Sequence, residues 1–159
     1  MGIELRPEQV LANYEQIAIC DDCGFPPIWI CGDSKDLDRL VSDTFERIGL
    51  ERDAKVDFIL TCPPYGDLEV YSDSDADLSS MSPEQFKGAY KTIIGYCTSR
   101  LKEKHLSAFV VGSYRVKKGK HKGKLIDVQA ITGDAHESAG CHLIPVSYTH
   151  LTLPTILLV

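Results

Sequence analysis

Short apolar runs alternate along this chain with longer segments whose apolar residues recur at helical spacing, and this alternation restricts the fold more than any other feature. The runs occupy residues 2–5, 28–31, 56–60 and 108–112. After the first, Pro7 opens a helix expected to reach about residue 19, with Val10, Leu11, Tyr14 and Ile17 along one side. After the second, Asp33 or Ser34 caps a helix expected to reach about residue 48, with Leu37, Leu40, Val41, Phe45 and Ile48 turned inward. Pro63 and Pro64 stop the third run, because neither can donate to a strand ladder. Ser82-Pro83-Glu84-Gln85 joins a capping serine, a proline in the first turn and a glutamine three residues on, and starts a helix ending near Lys102. A last helix is expected over about residues 125–138, and a further strand from near His142. Strands and helices at this spacing build parallel β-α-β units, so the expected class is α/β with a doubly wound, mostly parallel sheet.

Charge and cysteine usage narrow the partners. The formal net charge of −6 is opposite in sign to what a surface gripping a polyanion carries, so any nucleic-acid contact must be local. Arg115, Lys117, Lys118, Lys120, Lys122 and Lys124, with His121 and two glycines among them, form one basic loop suited to DNA phosphates. A merely solvated loop accounts for it equally well. Asp67, Glu69, Asp73, Asp75 and Asp77 make the loop after the third strand acidic, without the spacing of a calcium loop. Six cysteines in a chain without a secretory leader imply reduced thiols and a cytoplasmic setting. Cys20-Asp21-Asp22-Cys23 has the spacing of a metal or redox pair but no second pair to complete four ligands; an incidental loop pair is the simpler reading, and no metal is expected. The chain has no apolar run of the roughly 18 residues that a membrane span needs.

Doubly wound sheets bind ligands outside the carboxyl ends of their strands, and three successive strand ends here are polar: Glu4, Asp33, and the segment from Cys62 to Tyr65. A carboxylate at such an end matches the two hydroxyls of a ribose, although a solvated Glu4 explains the residue as simply. Asp33 faces the same choice between accepting an adenine amino group and capping the helix behind it. Thr61-Cys62-Pro63-Pro64-Tyr65 is more specific. Two prolines fix the backbone just past a buried strand, acceptors face outward, and an aromatic follows that can stack on a base. Methylation of an aromatic amino group requires such a set, because acceptors holding the two amino hydrogens draw the nitrogen out of conjugation and free its lone pair. Positioning and electrostatics then carry the rate.

Three stretches together resemble one family. Gly2-Ile-Glu-Leu-Arg-Pro-Glu-Gln-Val10, Ile30-Cys-Gly-Asp-Ser34 and Phe58-Ile-Leu-Thr-Cys-Pro-Pro-Tyr-Gly-Asp-Leu-Glu-Val-Tyr-Ser72 look like the phage and bacterial DNA modification methylases that act on amino groups, over residues 2 to about 144. The resemblance implies a Rossmann-like methyltransferase fold, S-adenosylmethionine as methyl donor, and flipped-out adenine or cytosine in DNA as acceptor. It makes Glu4 the ribose-binding acid, Asp33 the residue facing the donor's adenine, and Cys62, Pro63, Pro64 and Tyr65 the catalytic segment. Leu5 and Ser34 beside the two acids complete the expected donor-binding residues, and the expected DNA contacts are Lys117, Lys118, Lys120 and Lys122 of the basic loop.

The chain departs from that pattern in two places. Cys62 stands where the family carries Asp, Asn or Ser, and a thiol accepts hydrogen bonds weakly, which shifts the work to the Pro63 carbonyl. The glycine-rich loop expected one strand before Glu4 is missing, and no G-x-G occurs in the chain, so the donor pocket is expected to be incomplete and the domain, residues 1–145, incomplete at both ends. Val146-Ser-Tyr-Thr-His-Leu-Thr-Leu-Pro-Thr155 back-translates as GTC TCT TAT ACA CAT CTG ACG CTG CCG ACG, which resembles a transposase-type sequencing adapter; residues 146–159 are therefore read as a non-native tail. Two other functions compete: a methylase acting on RNA or on protein glutamine, and a module of the same fold that binds a nucleotide or a partner without turnover.

Overall fold

A computed structural model describes residues 1–19, 26–64 and 70–144. Its elements in order are β1 (Gly2–Glu4), α1 (Pro7–Ile19), β2 (Trp29–Cys31), a 3-10 turn (Ser34–Asp36), α2 (Leu37–Arg47), β3 (Val56–Thr61), α3 (Pro83–Arg100), β4 (Leu101–Phe109), β5 (Tyr114–Arg115), β6 (Leu125–Ile126) and α4 (Val128–Ser138). The α/β class is as expected, with β1 parallel to β2 and β3 parallel to β4. A single continuous sheet is not: the described strands form three two-stranded sheets, the third an antiparallel pair of β5 with β6.

The β1–β2 pair is in tight register. Gly2 pairs with Trp29, and a Cβ at Gly2 would overlap the Trp29 indole, so a side chain there would force the strands apart. The outer edge of β2 is closed by Tyr14 of α1, whose hydroxyl donates to the Trp29 carbonyl at 3.1 Å and accepts from its amide at 3.0 Å. This stops further strand addition at that residue.

Four sequence expectations shift. The fourth strand begins at Leu101, directly after α3, and not at Ala108. Val56 pairs with Leu101 and Phe58 with Leu106, so Lys102 to His105 bulge out of the ladder, with Lys104 at φ 61°. That polar stretch does not look like a strand, yet Lys102 Nζ holds it to Asp57 at 2.6 Å. The last helix begins at Val128, because Leu125 and Ile126 pair with β5 and Asp127 caps α4 by accepting from Ala130 N at 3.0 Å. Leu11 and Tyr14 of the stripe expected along α1, and Ile48 expected inward after α2, are exposed. Residues 141–144 carry no strand, and the rest of that expected strand lies outside the described residues, as do Cys20 and Cys23.

The third helix starts as its sequence implies. Ser82 accepts from Gln85 N while Gln85 Oε1 accepts from Ser82 N, both orphan donors being satisfied by the reciprocal cap. Along α3, Phe86, Tyr90, Ile93 and Ile94 face the main core with Leu78, Tyr114, Ile126, Val128 and Ala135. Tyr90 donates to Thr132 Oγ1, 3.1 Å away, and Thr132 Oγ1 in turn donates to the Val128 carbonyl at 2.7 Å, so the buried hydroxyls leave no orphan. At its carboxyl end α3 is tied to α2 by Arg100, buried, which donates to the Asp38 carboxylate and carbonyl, the Ser42 hydroxyl and the Arg52 carbonyl. The helices cover the face of β3–β4 that bears Phe109, whereas Phe58, Leu60 and Leu106 on the opposite face are exposed, so the third strand is not the buried strand its apolar sequence implies.

Candidate functional site

A cavity of about 570 Å³ opens where the carboxyl ends of β1, β2 and β3 converge. That volume lies within the range of roughly 300–1,000 Å³ common for small-molecule sites. Its lining joins Glu4, Leu5 and Arg6 after β1, Asp33 and Ser34 after β2, and Cys62, Pro63 and Pro64 after β3. The far wall is the segment preceding α3, with Tyr71, Asp77 and Leu78, backed by Ile93 of α3. Leu78 and Ile93 also belong to the main core, so the wall rests on packed side chains. Placement at strand carboxyl ends follows from the parallel pairs, whose crossover helices return beneath the sheet and leave this end open.

Seven of the eight residues assigned to donor and catalysis therefore share one cavity: Glu4, Leu5, Asp33, Ser34, Cys62, Pro63 and Pro64. The eighth, Tyr65, lies outside the described residues, as do Asp67 and Glu69. Glu4 is half-buried, and its Oε1 accepts from Arg6 N at 3.1 Å and Arg6 Nε at 3.3 Å. Asp33 caps the 3-10 turn through Lys35 N at 2.8 Å and pairs with Lys35 Nζ at 3.2 Å. The cap expected on the following helix thus falls on the 3-10 turn before it, since α2 starts only at Leu37 and its own N-cap, Asp36, makes no side-chain cap bond, while the Asp33 carboxylate also borders the cavity. Cys62 is exposed on the cavity wall, and the strand before it stays in register because Val110 N donates to the Thr61 carbonyl at 2.9 Å.

Of the cavity residues without a donor or catalytic role in the sequence reading, Arg6, Tyr71 and Asp77 are the ones with polar or aromatic groups to offer. Arg6 reaches across the cavity rim, its guanidinium carbon 5.5 Å from the centre of the Tyr71 ring. Asp77 is 4% exposed and organises the wall. Its Oδ1 accepts from Ser79 N at 2.8 Å and Ser79 Oγ at 2.7 Å, its Oδ2 from Ser72 Oγ at 2.9 Å, and Ser79 Oγ in turn accepts from Tyr71 N at 3.2 Å. Burial by itself raises this carboxyl, but the bonds from Ser79 and Ser72 outweigh it and hold it below the usual aspartate range. Asp77-Leu78-Ser79 has the Asp-x-Ser form of a self-bonded turn, a signal that five acidic residues in one loop obscured.

The basic loop is the tip of the β5–β6 hairpin. Gly123 N donates to the Val116 carbonyl at 2.8 Å and Val116 N to the Lys124 carbonyl at 3.0 Å, with Gly119 and Gly123 at positive φ turning the chain. Lys117, Lys118, Lys120 and Lys122 are exposed and do not line the cavity. The hairpin leaves the carboxyl end of β4, the edge from which Cys62 also emerges, and His121 Nε2 stands 3.7 Å from Glu84 Oε2 in the first turn of α3. Among the described residues no group of three or more His, Cys, Asp or Glu is placed to hold a metal ion, and no helix is long and apolar enough to cross a membrane. No protein-family model matches the chain, and comparison with curated proteins returns no match.

Proposed function

We propose that this chain carries the nucleoside-donor and target-base site of a DNA methyltransferase that modifies the exocyclic amino nitrogen of adenine or cytosine. The observation that supports the reading is the convergence of Glu4, Asp33 and Cys62 to Pro64, from three strand ends far apart in sequence, on one cavity of about 570 Å³. The residues present fit the nucleoside end of S-adenosylmethionine: Glu4 offers a carboxylate to a vicinal diol and Asp33 an acceptor to an adenine amino group. When bound, that donor supplies an electrophilic sulfonium methyl. Its methionyl end finds no G-x-G cradle among these residues.

The chain's own part is to bind and orient. The Pro63 carbonyl, fixed by two consecutive prolines, accepts one hydrogen of the target amino group, and Cys62 offers a second, weaker acceptor. Together they pull the nitrogen towards tetrahedral geometry and aim its lone pair into the cavity. Tyr65 stacks on the flipped base, and Lys117, Lys118, Lys120 and Lys122 hold the phosphates beside it. A module that binds a nucleoside without turnover is the second reading, favoured by the lack of a G-x-G cradle for the methionyl end of the donor.

The test is transfer of labelled methyl from S-adenosylmethionine, using the chain together with whatever sequence flanks it in its gene, to unmethylated DNA, RNA and protein offered separately. Label in DNA, abolished by Tyr65→Ala, is the expected result. Label in RNA or protein alone rejects DNA as substrate, and tight donor binding without transfer to any of the three identifies the non-catalytic module.

A further inference from the structure

Arg6 is the cavity residue whose contacts join two separate parts of the wall. Through Nε it holds Glu4 Oε1 at 3.3 Å at the end of β1, through Nη2 it holds Gln9 Oε1 at 3.4 Å on α1, and its guanidinium carbon lies 5.5 Å from the Tyr71 ring centre. Tyr71 belongs to the wall that Asp77 organises, by way of the Tyr71 N to Ser79 Oγ bond. Its contact with Arg6 connects the end of β1, with Glu4, to the segment that follows Cys62 and Pro63 in the chain.

We propose that Arg6 is a positioning residue that latches the Tyr71–Ser79 wall to the end of β1 and is released when a vicinal diol occupies Glu4. This rests on Glu4 being the diol acceptor. A diol needs both carboxylate oxygens, and Oε1 already receives the Arg6 amide at 3.1 Å and the Arg6 side chain. The amide is fixed by the backbone, whereas the Nε bond is long and belongs to a side chain one-quarter exposed, so the side chain is the partner that yields. Donor occupancy then changes the hold on Tyr71, and by reciprocity the state of that wall changes donor affinity.

Hydrogen exchange reads the latch without any ligand. In Arg6→Ala the Tyr71 and Ser79 amides should exchange about fivefold faster, the factor that a cation–π contact of about 1 kcal/mol predicts, while Tyr90 and Ile94 in the core keep their rates. Arg6→Lys, which keeps the charge over the ring, should recover most of that protection. Unchanged exchange at Tyr71 and Ser79 in Arg6→Ala overturns the latch, and faster exchange everywhere reduces Arg6 to a general stability contact and overturns it as well. The release is read with millimolar adenosine, which should speed exchange at Tyr71 in the unaltered chain, with 2′,3′-dideoxyadenosine as the control that lacks the diol. If adenosine binds more tightly than the dideoxy control yet leaves exchange unchanged, release is wrong while the diol site stands; if the two bind equally, the diol reading of Glu4 fails and release fails with it. If neither binds, the diol reading of Glu4 fails and release fails with it, leaving the latch decided by the ligand-free arm.

Discussion

Cys62 is the residue at which the proposed chemistry is most exposed to test. Its thiol lies on the cavity wall beside Pro63, and a thiol is a poor acceptor for an amino hydrogen. If the Pro63 carbonyl carries most of that work, Cys62→Ala lowers kcat by less than about tenfold, the equivalent of one ordinary hydrogen bond, and Cys62→Asn raises it by supplying an oxygen. A loss of about a thousandfold in Cys62→Ala would instead make the thiol the principal group. Asp77 gives the second residue-scale test. Its folded pKa is depressed below the unfolded value, so its contribution is present above the unfolded pKa of about 4 and is lost as pH falls through the folded one. Acid titration of stability should therefore show a component below about pH 4 that Asp77→Asn removes, since an amide does not titrate there. Cys97 behaves oppositely to Asp77, because burial alone pushes its thiol up to about 11 and leaves it unreactive near neutrality.

Among the elements, α3 ties the structure together. Arg100 at its end satisfies groups on α2 and in the following turn with its whole guanidinium, and Arg100→Met should cost about 2–3 kcal/mol in denaturant unfolding, as expected for charged hydrogen bonds lost from a buried site. A loss under about 0.5 kcal/mol would show that solvent replaces those bonds freely. The hairpin after β4 carries the electrostatic prediction. Replacing Lys120 and Lys122 by Gln should flatten the dependence of log affinity on log salt for duplex DNA by about 2, at about 0.9 per phosphate contact. An unchanged slope would leave the hairpin a solvated loop. These elements also show what the sequence made legible. Pro7, the Ser82 to Gln85 cap and the Pro63-Pro64 stop are local signals, satisfied within a few residues, and each falls where it was read. Lys102 to His105 and Leu125–Ile126 were misread because their strand character depends on partners far away in sequence, Asp57 and Tyr114–Arg115. The same reason hid Arg6, whose contact with Tyr71, far away in sequence, is what ties it to the opposite wall of the cavity.

At the scale of the molecule, two parallel pairs backed by helices hold one cavity at their carboxyl ends, while the β3–β4 pair keeps Phe58, Leu60 and Leu106 exposed on one face. Parallel sheets are ordinarily covered on both faces, so this open surface and the three separate two-stranded sheets are the respects in which the fold falls short of a doubly wound domain. The site residues survive that departure because each sits at the end of its own strand and depends on the local ladder. On the proposed reading, a net charge of −6 leaves contact with DNA to the hairpin and the cavity rim. The most direct test of the central claim is the chemical identity of the product. DNA treated with the chain in its gene context and S-adenosylmethionine, then hydrolysed to nucleosides, should contain N6-methyladenine or N4-methylcytosine, and neither after Tyr65→Ala. Methyl found only at cytosine C5, or DNA left unmethylated while the donor is consumed on another substrate, would contradict the account.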